Sequence, residues 1–197
     1  MKSLIPFQSS NTRFIPKAAK TMFLPAEQRA LTMFEKVIDY FLVEKSKIKS
    51  IYRYYNFPLK KELSKPKVFG DLQFDKDNCK RYQEEHFFTI SNDGLFSGLL
   101  FYVEVYFDQE NVLNNLKDKT NWSTPFLRLF DHDIVVEKGD TLNVITEIDL
   151  IVKEPSYKVN LTLKAKNKIF KSEYEWDVVS RCQTQDLNSK TSKSATA

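Results

Sequence analysis

The sequence predicts a mostly β protein: an antiparallel β-barrel or sandwich of about eight to ten strands, with a helical arm inserted near the N-terminus. Three observations lead there. Apolar and polar residues alternate with a period of two over 157–165 and 170–178, and 142–152 joins them. Short turn-forming stretches such as Asn92-Asp93-Gly94 and Glu154-Pro155-Ser156 divide the chain. No strand–helix alternation appears, so a cofactor-binding α/β domain is not expected here.

Taken in order, residues 1–24 read as extended, because Pro6, Pro16 and Pro25 each restrict the residue before them. Helical periodicity then predicts a helix over about 25–44, with Pro25 in its first turn. Leu31, Phe34, Val37, Ile38, Phe41 and Leu42 form one apolar stripe on it. Such a stripe packs either on the protein's own core or on a partner. Residues 45–67 carry eight Lys or Arg against the single acid Glu62, interleaved with Tyr52, Tyr54, Tyr55 and Phe57. Single-stranded nucleic acid is held by that mixture of cations and rings. A lysine-rich connector whose tyrosines pack on the barrel or on a partner has the same composition and is the favoured reading.

From about residue 66 the period becomes two. Val68-Phe69 with Leu72-Gln73-Phe74 predicts a strand, and His86 to Ile90 another. Leu99 to Phe107 is almost continuously apolar, as in a central strand covered on both faces. Val144, Ile148, Leu150 and Val152 share one face. Tyr157, Val159, Leu161, Leu163 and Ala165 share another, as do Phe170, Ser172, Tyr174, Trp176 and Val178, across a hairpin-length link at Lys166-Asn167-Lys168. The whole reads as one domain over 1–182, with the arm at about 26–60. The Ser/Thr/Lys-rich stretch 183–197 reads as a disordered tail.

Composition narrows the chemistry. With 42% hydrophobic and 14% aromatic residues, a core of large side chains is within reach. Only 4 Gly occur, and the phosphate-cradling and nucleophile-elbow motifs that need them are absent. The net charge of +4 is too small to imply a nucleic-acid partner. Cys79 and Cys182 fit neither a disulfide framework nor metal-ligand spacing, and read as thiols of a reducing compartment. No apolar run approaches the roughly 18 residues of a membrane span, and no secretory signal precedes Pro6, so a cytoplasmic location is expected. Neighbours in Asp131-His132-Asp133 and in Glu84-Glu85-His86 point to opposite faces of a strand, so neither set converges on a metal. The residues present no catalytic set and no metal site.

Residues 120–140, Thr-Asn-Trp-Ser-Thr-Pro-Phe-Leu-Arg-Leu-Phe-Asp-His-Asp-Ile-Val-Val-Glu-Lys-Gly-Asp, resemble the β-barrel domain of the protein arginine methyltransferase family. That family has a Thr-His-Trp loop, a strand, an acidic turn, another strand and a Lys-x-Gly-Asp-type turn. Trp122, Leu129, Val136, Gly139 and Asp140 stand at comparable places. Arg13-Phe14-Ile15-Pro16, Leu63-Ser64-Lys65-Pro66 with Asp71-Leu72-Gln73-Phe74-Asp75, and Asp93-Gly94 with Leu99 to Phe107 follow in the family's order. The resemblance covers about residues 5–180.

In that family the barrel follows an S-adenosylmethionine (SAM)-binding Rossmann domain, and a helical arm makes a head-to-tail dimer. The resemblance therefore implies that residues 26–60 occupy the place of the dimerisation arm. Leu31, Phe34, Ile38, Phe41, Tyr52, Tyr54 and Tyr55 are then interface candidates, and Thr120, Asn121 and Trp122 candidates for a substrate groove. Trp122 either lines that groove or packs on the barrel. Two departures stand out. No SAM domain is recognised in these residues, and Asn121 replaces the family's histidine, so an amide stands where an imidazole could carry charge.

Three functions are expected to compete. The first is a non-catalytic barrel that binds protein or peptide and oligomerises through its arm, partnered by a separate SAM-domain subunit or by a second copy. The second is the C-terminal part of an active SAM-dependent arginine methyltransferase. The third is a nucleic-acid-binding module using 45–67. The chain by itself is expected to bind no cofactor.

Overall fold

The computed structural model describes residues 15–28, 51–55, 57–75, 78–151 and 155–177. The described residues form twelve strands: β1 Ala18–Ala26, β2 Ile51–Tyr54, β3 Lys67–Gln73, β4 Arg81–Thr89, β5 Gly94–Phe96, β6 Gly98–Tyr106, β7 Val112–Asn114, β8 Thr124–Arg128, β9 Ile134–Val136, β10 Thr141–Asp149, β11 Ser156–Ala165 and β12 Lys168–Asp177. Three of them, β5, β7 and β9, have three residues each, too few to display a period. That is why the sequence suggests fewer strands.

The strands form three antiparallel sheets. Sheet A runs β2–β8–β6–β1–β3, with β7 also on β6. Sheet B runs β12–β11–β10–β4, and β5 pairs with β9. Sheets A and B bury their facing sides against one another, through Phe23, Phe69, Leu99, Phe101 and Leu127 from one and Phe88, Leu142, Val144, Leu161 and Leu163 from the other. The hydrogen-bond ladder does not close into a barrel. At the margins single side chains cross instead: Ser64 Oγ donates to the Thr89 carbonyl at 2.9 Å and Ser172 Oγ to the Leu129 carbonyl at 2.7 Å. Of the two predicted architectures, the open sandwich is the one found.

Sheet A is buried on its second face too. Leu24, Ala26, Tyr54, Leu100, Tyr102 and Phe126 form a separate cluster there with Phe57 and Leu116. Successive residues Leu99 and Leu100 thus enter different clusters, which is why β6 reads as a continuous apolar run. Gly98 lets β8 approach: a Cβ there would stand 2.1 Å from the Leu127 carbonyl oxygen.

Sheet B follows the alternating pattern residue by residue. Thr141 to Asp149 pair with Lys164 to Ser156 on one side and with Thr89 to Arg81 on the other. The turn into β12 has Lys166 at φ 48 and Asn167 at φ 60, the two left-handed residues of a tight hairpin. Strand β4 begins at Arg81 rather than near His86. Its first half turns little apolar surface to the core, so the pattern is silent there.

The helical arm requires correction where it can be seen. Pro25 does not open a helix. It lies in β1 opposite Leu99, and its carbonyl accepts from the Leu63 N–H at 3.0 Å. Phe23 and Leu24, both wholly buried, face the two different clusters, which demands a strand's period. At the other end of the predicted arm, Ile51–Tyr54 is strand β2, and Leu59–Lys61 is one 3₁₀ turn. Leu31, Phe34, Ile38 and Phe41 lie outside the described residues, as do Val178 and the predicted tail 183–197. Among the described residues, no helix is long and apolar enough to cross a membrane.

Candidate functional site

Thr120, Asn121 and Trp122 occupy the link between β7 and β8. The Trp122 N–H donates to Thr120 Oγ1 at 3.2 Å, a side-chain turn that replaces a missing backbone partner. Asn121 is exposed and the Trp122 ring is 53% exposed, so it is not a core-packing ring. Two residues later the chain is anchored firmly. Thr124 is buried and donates its hydroxyl to the Tyr54 carbonyl at 3.0 Å, and Phe126 is wholly buried.

That anchor joins two sets of candidates that lie far apart in sequence. β2 pairs with β8 so that Tyr54 stands opposite Thr124 and Tyr52 opposite Phe126. Tyr55, 62% exposed, therefore leaves the sheet at the same end as Trp122. Two large exposed rings mark this end of sheet A, a composition typical of protein-binding surfaces. Tyr54 differs from its neighbours. It is 2% exposed, packs on Phe57 and Phe126, and accepts a 2.7 Å hydrogen bond from Gln28 Nε2 at its hydroxyl. Tyr52 is half-buried and stacks on Tyr54. Burial of Tyr54 and Phe57 also removes two rings from the basic–aromatic segment 45–67. Neither can stack on a base without opening the core.

Gln28 ties Tyr54 to the opposite end of β8, where Gly98 stands across from Arg128. Its backbone N–H donates to Ser97 Oγ at 3.0 Å, and its side-chain oxygen accepts from Arg128 Nη1. Arg128 then pairs with Asp133 at 3.1 Å and donates to the carbonyls of Phe130 and Asp131. The acidic turn 131–133 is thus organised around a guanidinium. On the far face of sheet A, Glu104 accepts from the Tyr106 hydroxyl at 2.7 Å and from Asn114 Nδ2 at 3.0 Å. Burial, with Glu104 adding to it, pushes the Tyr102 phenol up to about 12. Burial also raises the Glu62 carboxyl, and Lys117 opposes it.

The pairing of His86 with Thr146 escaped the sequence reading. The ring of His86 points into the core, edge-on to Phe23 at 4.9 Å between centroids. The buried Thr146 stands beside it in the neighbouring strand. Only the placement of both at core-facing positions of the alternating strands could have signalled the pair. Among the described residues no group of three or more His, Cys, Asp or Glu is placed to hold a metal ion. Two shallow grooves of about 350 and 340 Å³ lie on the outer face of sheet B, away from the Trp122 loop.

The open antiparallel sandwich is the fold that the chain shares with solved structures of protein arginine methyltransferases. One such structure is the Trypanosoma brucei PRMT1 enzyme–prozyme heterotetrameric complex with AdoHcy. The match has a TM-score of 0.61 at 10% identity and covers 86% of this chain and 60% of that one. Another is Arabidopsis thaliana Protein Arginine Methyltransferase 10, described in a uniquely open conformation. There the TM-score is 0.57 at 12% identity, over 81% of this chain and again 60% of that one. The chain therefore spans about three-fifths of the solved chains it matches, and at these identities the likeness is one of fold. No family model matches the chain, and no curated protein matches it.

Proposed function

We propose that this chain is a non-catalytic β domain of the arginine methyltransferase kind. It binds protein or peptide and oligomerises, and works with a separate SAM-binding domain or subunit. The observation that carries this reading is the fold match over most of this chain and only 60% of each methyltransferase. The exposed Trp122 and Tyr55 rings supply the binding surface, and Asn121 lends it a hydrogen-bonding amide without charge. One matched structure pairs an enzyme with a prozyme in a heterotetramer, which is the kind of assembly this reading calls for. The domain extends over residues 1–182, ahead of a tail at 183–197, and a cytoplasmic setting suits its thiols.

Calorimetry tests the central point. Titrating SAM into the purified chain should give no binding heat, and micromolar binding would overturn the non-catalytic reading. Tagged chain isolated from its native cell should bring with it a SAM-binding subunit able to methylate arginine peptides. A second reading, the C-terminal part of an active arginine methyltransferase, draws on the same 60% coverage. It requires a SAM-domain coding region in frame upstream of Met1.

A further inference from the structure

Strand β12 ends sheet B, and among the described residues it pairs only with β11. All ten of its residues are in register with β11 without a shift, and it contains neither Pro nor Gly. The other long edges are blunted. Ser64 takes the Thr89 backbone carbonyl at the end of β4, a bulge interrupts the β1–β3 pairing, and β2 has only four residues, whereas Ser172 crosses from β12 to the Leu129 carbonyl by its side chain and not by the β12 backbone. A straight ten-residue edge offers a row of outward N–H and C=O groups that another strand can join.

The side chains specify which strand. Phe170, Ser172, Tyr174 and Trp176 lie on the core-facing side of β12 and are half-buried, while Lys171 and Glu173 lie on the outer side. A second β12 running antiparallel keeps both faces matched only if the numbers of opposed residues sum to an even value. A two-fold axis at Ser172 places Lys171 opposite Glu173 twice and Phe170 opposite Tyr174 twice. It also brings Lys168 opposite Trp176. Moving the axis by one residue sets Lys171 against Lys171, or Glu173 against Glu173. Glu173 already takes Lys158 at 2.7 Å, and a carboxylate has acceptor sites for both cations.

We propose that the outer edge of β12 is a self-association surface. A second copy of this chain adds to it antiparallel, centred on Ser172, and joins two four-stranded sheets into one of eight. The inference is independent of the methyltransferase reading and uses a surface other than the Trp122 loop.

Sedimentation velocity on the full chain, with circular dichroism confirming the fold of each variant, provides the test. The native chain should dimerise in a concentration-dependent manner. Lys171→Glu and Glu173→Lys each set like charges opposite one another and should weaken the dimer roughly tenfold or more. An equimolar mixture of the two variants should recover it, because each then meets its opposite. A monomer at every concentration overturns the proposal, whether β12 is left open or is covered by residues 178–197 or by another protein's strand. So does a dimer that neither variant weakens, or a mixture that recovers nothing.

Discussion

His86 Nε2 lies 3.3 Å from Thr146 Oγ1, and both residues are buried. The Thr146 hydroxyl donates in turn to the Glu84 carbonyl at 3.4 Å, so its oxygen is left to accept from the imidazole. Burial holds the imidazole below its ordinary pKa. Lys67 pushes in the same direction, and Glu84, 3.6 Å away, opposes both. A base depressed in the folded state is protonated more readily when unfolded. Its favourable contribution is therefore complete above the unfolded value of 6.5 and lost as pH falls below it. Urea midpoints between about pH 5 and 8 should fall on the acid side, and His86→Gln should flatten that slope at a cost of about 1–3 kcal/mol. An unchanged slope in the variant would remove His86 as the cause.

Gly98 is expected to be intolerant of any side chain. A Cβ would meet the Leu127 carbonyl oxygen at 2.1 Å and its carbon at 2.9 Å, both backbone atoms of the adjacent strand. Gly98→Ala must therefore push β8 away from β6. We expect a loss of at least about 1–3 kcal/mol, read from chemical denaturation. A variant as stable as the native chain would mean that the two strands do not approach this closely.

Trp122 should separate stability from binding. Its ring is 53% exposed and on a loop, so Trp122→Ala should alter stability by no more than about 0.5 kcal/mol. The same variant should lose affinity for the protein partner in a co-purification or titration. Tyr54→Ala should behave oppositely and cost about 3–5 kcal/mol, because Tyr54 is a core ring. Equal effects of the two variants on stability would contradict these placements.

Alkaline titration reports on the tyrosines. Burial and nearby carboxylates raise Tyr82 and Tyr102 to about 12, and the hydrogen bond to Glu104 does the same for Tyr106. Phenols raised in the folded state favour folding below the unfolded value of 10.0, and that benefit is lost as pH rises toward 12. The ultraviolet titration of the folded chain should show a late phase that disappears in urea. Tyr102→Phe should shrink it, and an undiminished late phase would assign it to other rings.

Much of sheet B was legible residue by residue. A strand with one wet face writes its register into the sequence, and β10, β11 and β12 follow their alternation. Sheet A was less legible because it is buried on both sides. Continuous apolar runs such as Leu99–Tyr102 identify β6 as central without saying which residue faces which cluster. Pro25 misled for a related reason: a proline that suits the first turn of a helix also suits the end of a strand whose partner requires only its carbonyl. As for the site, the Thr120–Trp122 loop and Tyr55 were each legible as candidates, but their sharing one end of sheet A was not, since Tyr55 and Thr120 stand 65 positions apart in the chain.

By itself, then, the sequence determined the period of each well-alternated strand, the hairpin before Lys168 and the absence of glycine-rich phosphate loops. These depend on side chains close together along the chain. Only the tertiary structure decided that the sheets stay open, that Tyr54 is interior while Tyr55 and Trp122 face out, and that His86 meets Thr146. Those outcomes depend on which strands come to lie side by side. That choice follows from how the whole set of apolar faces can be buried at once, a property of no single segment.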